Sequence, residues 1–277
     1  MKGGWAMAEV TTERIAEIRA QIEGAWEFRE ATISEDMDLL VREAIALLTS
    51  GAIRAAERVA PGQWVANEWV KKAILLMFKI RPSRAIEAGA LHFFDKVSVQ
   101  GEWQAKGARV VPPATVREGA HIERGAVLMP CFVNIGARVG AGTMIDTWST
   151  VGSCAQVGAN CHISGGVGIG GVLEPLQATP VIIEDNCFVG ARSEVAEGVI
   201  VEEGAVLAMG CYVSASTRLY DATQGKELPR GRIPARAVVV PGGLPSADGT
   251  HSTYALIIKK YRDARTDAKT ALNEVLR

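Results

Sequence analysis

Between Glu13 and Phe28 the apolar residues Ile15, Ile18, Ile22 and Trp26 recur at steps of three and four, the spacing that lines one face of an amphipathic helix. A second helix is predicted from about Asp36 to Leu48, with Leu39, Leu40, Ala44, Leu47 and Leu48 inward and Gly51 suited to its C-terminal cap. In a third, Asn67 is placed to cap a segment carrying Trp69, Val70, Ala73, Ile74, Met77 and Phe78. Pro82 ends it by denying the next turn an N–H donor. Residues 7–100 therefore read as an N-terminal helical domain. The short run Met1–Trp5, ahead of Met7, is left out of the fold reading.

From Val110 the period changes to six: Val110, Val116, Ile122 and Leu128. After one omitted residue the series resumes as Val133, Val139, Ile145, Val151, Val157, Ile163 and Ile169. After a longer interruption it continues as Ile183, Val189, Val195, Val201, Leu207 and Val213. Four positions beyond most of these aliphatics stands a small residue, such as Ala120, Ala137, Thr143, Ser149, Cys161, Ser193 or Cys211. A six-residue beat with one branched and one small inward position predicts a hexapeptide solenoid, three short strands to each triangular coil. The predicted solenoid spans 101–218, with a loop inserted at 170–180, and a 219–277 region follows as a C-terminal cap. In that region Ala237–Val240 and Thr253–Lys260 read as strands and Arg262–Leu276 as a final helix, together covering the open sheet edge.

Composition narrows the function classes. Thirty Lys and Arg against thirty-one Asp and Glu give a net charge of -1, so no global field favours nucleic acid or an anionic membrane. No apolar run reaches the roughly 18 residues of a membrane span, and no signal-peptide pattern opens the chain, which points to the cytoplasm. Five cysteines without CxxC spacing do not form a disulfide framework or a zinc motif, and Cys161, Cys187 and Cys211 sit at small inward positions. They read as packing residues in reduced form.

Longer strings carry a more specific signal. Val110-Val111-Pro112-Pro113, Leu128-Met129-Pro130, Thr143-Met144-Ile145-Asp146-Thr147-Trp148 and Val151-Gly152-Ser153-Cys154-Ala155-Gln156-Val157-Gly158 resemble the tetrahydrodipicolinate N-succinyltransferases of the hexapeptide-repeat acyltransferase superfamily. The resemblance continues through His162–Gln177 and Ile183–Glu194, and takes in Asn67–Lys72 and Ile258–Lys260, so it covers most of the chain. It implies a mainly β fold, a left-handed parallel β-helix, assembled as a homotrimer with active sites between neighbouring subunits. It also implies transfer of a succinyl group from succinyl-coenzyme A to the amino group of acyclic tetrahydrodipicolinate, a step in diaminopimelate and lysine synthesis. No metal and no permanently bound cofactor is implied, succinyl-coenzyme A being a cosubstrate.

Such a reaction needs a neutral amine, a reachable thioester carbonyl and a place for the proton. Asp146 follows an inward aliphatic at a corner where other repeats carry glycine, so its side chain projects outward; Glu194 also points away from the interior. By resemblance these are the two catalytic carboxylates, with Asp146 on the acceptor amine and Glu194 assisting hydration or deprotonation. Counting coils puts them near different corners, meeting only across a subunit boundary. Arg109 is the family-matched clamp for an acceptor carboxylate, and Trp148 and Ser153 are candidates to line the same cleft. For the phosphates of coenzyme A the candidates are Lys259, Lys260 and Arg218, with Gly171 flanking the pantetheine arm.

Four alternatives stand beside this reading. A zinc enzyme of the γ-carbonic-anhydrase kind needs three converging histidines, and only His121 and His162 lie in the repeats. A histidine-based acyltransferase would use His162 as general base. A non-catalytic trimeric scaffold would use the flat faces alone, and an acetyltransferase would act on the same acceptor with a different donor.

Overall fold

The computed structural model describes residues 11–29 and 35–263. Helix α1 (Thr12–Glu27) starts where the Thr11 side chain accepts from the Arg14 amide, and it buries Ile18 and Ile22. Helix α2 (Glu35–Ser50) buries Leu40, Val41, Ala44, Ile45, Leu47 and Leu48. Leu39, predicted inward, is 62% exposed, because the buried stripe runs along its neighbours Leu40 and Val41 instead. Helix α3 (Glu68–Ile80) buries Trp69, Val70, Lys71, Ala73, Ile74, Leu76 and Met77. Asn67 stands at its N-cap position without capping it: its amide donates to the Arg54 carbonyl and the Glu57 carboxylate.

Two antiparallel hairpins, absent from the sequence reading, interrupt this helical region: Ala56–Ala60 with Gln63–Ala66, and Arg84–Ala88 with Leu91–Asp95. Neither buries a full face, so neither shows the period of two that marks a half-buried strand.

The solenoid is a three-faced prism. Strands of two residues leave the first face, turn onto the second, then the third, and each pairs in parallel with the strand one coil away. On the first face lie Arg109–Val110, Val127–Leu128, Met144–Ile145, His162–Ile163, Phe188–Val189 and Val206–Leu207. Thr115–Val116, Phe132–Val133, Thr150–Val151, Gly168–Ile169, Glu194–Val195 and Tyr212–Val213 make the second. The third runs from His121–Ile122 to Ile200–Val201. Every aliphatic of the six-residue series is buried except the terminal Val110, which packs partly against the same core.

Hydroxyls at the small inward positions satisfy backbone between coils. Thr143 Oγ1 donates to the Gly158 carbonyl and accepts from the Cys161 amide, while Ser149 and Ser193 repeat the arrangement with Ser164 and Val167 and with Ala208 and Cys211. A buried Ser or Thr is thereby paired rather than stranded. All five cysteines are buried thiols, and burial pushes those of Cys131, Cys154 and Cys211 up to about 12.

The repeat does not end at Val213. After an excursion through residues 214–231, Arg232–Ile233 rejoins the third face beside Ile200–Val201, and Val238–Val239 rejoins the first beside Val206–Leu207. The strand Ala237–Pro245 then pairs antiparallel with Ser252–Tyr261, which pairs with Arg218–Asp221. The C-terminal segment thus adds strands to the end of the first face, along the prism axis, instead of simply covering its edge. The predicted helix Arg262–Leu276 lies, from residue 264 onward, outside the described residues.

A second hydrophobic core joins α1, α2 and α3 to the prism through Ile135 and Cys154, both at the corner between the second and third faces. The inserted loop beyond Gly170 is held from the same side: buried Lys71 of α3 donates from Nζ to the carbonyls of Leu176, at 3.1 Å, and Ala178. Burial lowers the Lys71 pKa, and these two acceptors offset the loss of water around its charge.

Candidate active site

The edge between the first and second faces carries Asp146 and Trp148 and is flanked by Glu194. Its outermost position is occupied in successive coils by Trp148, Gly166, Arg192 and Gly210, all with positive φ. Glycine takes that left-handed conformation freely, whereas Trp148 takes it at φ 61° and leaves its ring 67% exposed. A bulky aromatic held this way is a recognised mark of functional constraint. The ring borders a cavity of about 230 Å³ with Pro113, Pro130, Phe132, Ser149 and Thr150.

Asp146 opens the same turn. Its backbone N–H donates to the Ile163 carbonyl of the next coil, and its Oδ1 accepts from the Thr147 N–H at 2.7 Å and the Thr147 hydroxyl at 3.2 Å. Oδ2 lies 3.7 Å from His162 Nε2, beyond hydrogen-bond length. Burial lowers the His162 pKa, opposed by the Asp146 charge. One carboxylate oxygen is therefore fixed and the other is left to act.

Glu194 begins a second-face strand, two coils beyond Asp146, and so flanks the same edge from the other side. The expectation that the two carboxylates lie near different corners is corrected: the corner after each first-face strand is shared, and the separation is axial, roughly 10 Å at the usual strand spacing. Gly168 stands directly beneath Glu194 in the ladder, and a Cβ built on it would fall 2.5 Å from Glu194 Cδ. The missing side chain is the cradle on which Glu194 lies. Sequence reading passed over Gly168, although glycine at the first strand position, where other second-face strands carry Thr, Phe, Glu or Tyr, is a readable signal.

The remaining candidates are dispersed. Arg109 is exposed on the first face, two coils before Asp146. Ser153 and Gly171 meet at the edge between the second and third faces, where the Val172 N–H donates to the Ser153 carbonyl. Ser153 is thus separated from Asp146 by the width of a face. Lys259 and Lys260 lie far along the axis, Lys260 opposite Val238 and bonded to Asp263 at 2.7 Å. Arg218 is engaged by Glu227 and also reaches Thr253. Within one chain these residues lie on different faces and coils. His121, the other repeat histidine, faces α2 from the third face, its Nδ1 3.0 Å from the Thr49 carbonyl oxygen. It cannot join His162 on the first face, and among the described residues no three His, Cys, Asp or Glu side chains converge as metal ligands.

A parallel coil with two carboxylates at one edge and an inserted loop at another defines the class first: the hexapeptide-repeat proteins. Residues 180–215 match the model of the hexapeptide repeat of succinyl-transferase, and residues 17–80 match that of the tetrahydrodipicolinate N-succinyltransferase N-terminal region. The 2,3,4,5-tetrahydropyridine-2,6-dicarboxylate N-succinyltransferase of Idiomarina loihiensis is 55% identical over 94% of this chain and 98% of its own. The protein of the same name from Acinetobacter baylyi is 53% identical over 95% and 99%. The chain belongs to this N-succinyltransferase family. A solved Campylobacter jejuni chain, described as a 2,3,4,5-tetrahydropyridine-2-carboxylate N-succinyltransferase, superposes with a TM-score of 0.52 at 18% identity, covering 82% of this chain and 63% of that one. That likeness concerns the fold, a left-handed parallel β-helix.

Proposed function

We propose that the chain is an acyltransferase that moves the succinyl group of succinyl-coenzyme A to the amino group of open-chain tetrahydrodipicolinate. The observation that carries this reading is family membership along nearly the whole chain, at 55% identity to a named N-succinyltransferase. In the proposed reaction the amine nitrogen attacks the thioester carbonyl, the C–N bond forms, and the tetrahedral intermediate collapses with loss of the C–S bond. Asp146, with Oδ2 uncommitted, takes the proton from the amine, and the leaving thiolate is protonated to free coenzyme A. Glu194, seated on Gly168, assists hydration of the cyclic acceptor or the second proton transfer.

The second face, lying between the Asp146 edge and the Ser153–Gly171 edge, is the face we assign to the neighbouring subunit of a homotrimer. Candidates split between two edges of one face are what a shared site requires, and exposed Trp148, Met209 and Tyr212 lie on or beside that face. Arg109 is assigned to an acceptor carboxylate, and Lys259, Lys260 and Arg218 to coenzyme A phosphates, the last after release from Glu227. Among the described residues no helix is long and apolar enough to cross a membrane; we place the enzyme in the cytoplasm.

The test is thiol release with mass detection of product, using tetrahydrodipicolinate and either succinyl- or acetyl-coenzyme A. Acceptor-dependent release with the succinyl donor is expected, and D146N and E194Q each lower kcat by about 10²- to 10⁴-fold. Release with acetyl-coenzyme A alone would move the chain to acetyl transfer, and none with either donor would sink the enzyme reading.

A further inference from the structure

The imidazole of His162 is placed in a way that the reaction above does not use. It projects from the first face one coil beyond Met144, with Phe188 packed edge-on against its ring at 5.2 Å between centroids and 78° between planes. Phe188 stands in the next strand of the same face, so the ring orientation is set by the ladder. Nε2 is shielded from solvent and has no hydrogen-bond partner among the described residues, and the carboxylate oxygen 3.7 Å away is Asp146 Oδ2. An orphaned buried nitrogen normally costs stability, which makes its retention beside a half-buried carboxylate informative.

We propose that His162 is a positioning residue for Asp146, its Nε2–H closing onto Oδ2 when the acceptor substrate is seated. Thr147 already holds Oδ1, so this second bond fixes the carboxylate plane and leaves one Oδ2 lone pair for the amine proton. Bonds at active sites are often long before substrate arrives and tighten in the complex. Direct base catalysis by His162 does not suit the geometry, because Nε2 is closed to solvent and stands 3.7 Å from Asp146 Oδ2. The inference rests on the acyl-transfer reading, and one arm of its test does not.

In that arm the four histidines are followed by imidazole ¹H–¹⁵N spectra against pH, with H162Q identifying the His162 signals. Removing the neighbouring charge with D146N lowers the His162 titration midpoint by roughly a unit or more; an unmoved midpoint overturns the pairing. In the kinetic arm H162L lowers kcat about ten- to a hundredfold with KM nearly unchanged, the worth of a hydrogen bond to a charged group. H162Q, whose amide N–H reaches the position of Nε2, recovers most of the loss. On the D146N background H162L costs nothing further, because its effect runs through Asp146. Wild-type kcat in H162L, or an equal loss on both backgrounds, overturns the proposal. Thermal unfolding of each variant separates loss of fold from loss of alignment. An inactive wild-type enzyme would overturn the acyl-transfer reading and the catalytic consequence, while the titration arm still judges the pairing.

Discussion

The prism and the helical region that leans on it solve the same burial problem in opposite ways. In the prism, each strand delivers one aliphatic to a shared interior and the next coil repeats the delivery, so backbone lies on backbone with almost no tolerance between coils. In the helical region, α1, α2 and α3 bury irregular sets of side chains around one another, and their outer surfaces keep ample room. A stacked coil gains its regularity by surrendering local slack; a helical packing keeps slack and loses regularity.

The same substitution in both regions breaks or sharpens this contrast. Gly152 lies at a coil corner where a Cβ would fall 2.5 Å from Gly171 Cα, a backbone atom that cannot swing away. G152A is expected to cost about 3 kcal/mol or more, read as a fall in the unfolding midpoint. A midpoint equal to wild type would show that the coils slide apart readily. The largest effect at the junction of the two regions belongs to Lys71. K71M leaves the Leu176 and Ala178 carbonyls without their donor and is expected to cost about 1–3 kcal/mol, with faster proteolysis within residues 172–179. Protection of the loop in K71M would remove Lys71 from that role.

Asp221 tests the C-terminal extension. Although burial acts to raise its pKa, bonds from Thr223, Tyr261 and Gln224 hold it below the ordinary aspartate value. A depressed folded pKa contributes stability that is present above the unfolded value, about 3.9, and lost as pH falls through the folded one. D221N should cost about 1–2 kcal/mol near neutrality, and its deficit relative to wild type should shrink below about pH 4. A deficit constant from pH 7 to pH 3 would remove the charge from the account. The smallest effect has the opposite sign. Gly24, inside α1, has no described atom outside its own helix backbone within 4 Å of a built Cβ, so G24A should stabilise by about 0.5–1 kcal/mol in urea unfolding.

What the sequence discloses follows the same division. Val116 through Val213 write the prism core directly, since one fixed period recurs and every beat is buried. The coil's return at Ile233 and Val239 was hidden, because eighteen residues of excursion (214–231) erase the beat before it resumes. The hairpins at 56–66 and 84–95 left no period, as they bury no full face. At the site, Asp146 and Glu194 were identified through family strings, but their supports were not. His162 beside Asp146 comes from stacking residues one coil apart, a relation that composition and local spacing do not express, whereas Gly168 beneath Glu194 stands out once the second-face strands are aligned by the six-residue beat.

Both additions to the coil leave from the second face and re-enter on the third: residues 170–181, before Ile182–Ile183, and residues 214–231, before Arg232–Ile233. Ladder partners normally eighteen residues apart, as Arg138 and Gln156, are there twenty-six and thirty-two apart, as Gln156 and Ile182 and Ile200 and Arg232. Set against a regular crossing such as 152–155, closing loops of these lengths adds only about 1.0–1.3 kcal/mol of entropy. That edge is therefore a natural splice line. A foreign peptide or a small folded module inserted between Glu197 and Gly198, in the one uninterrupted crossing between the two natural additions, would keep buried Val199, whose carbonyl accepts from the Ile182 N–H, and the strand pairs on either side.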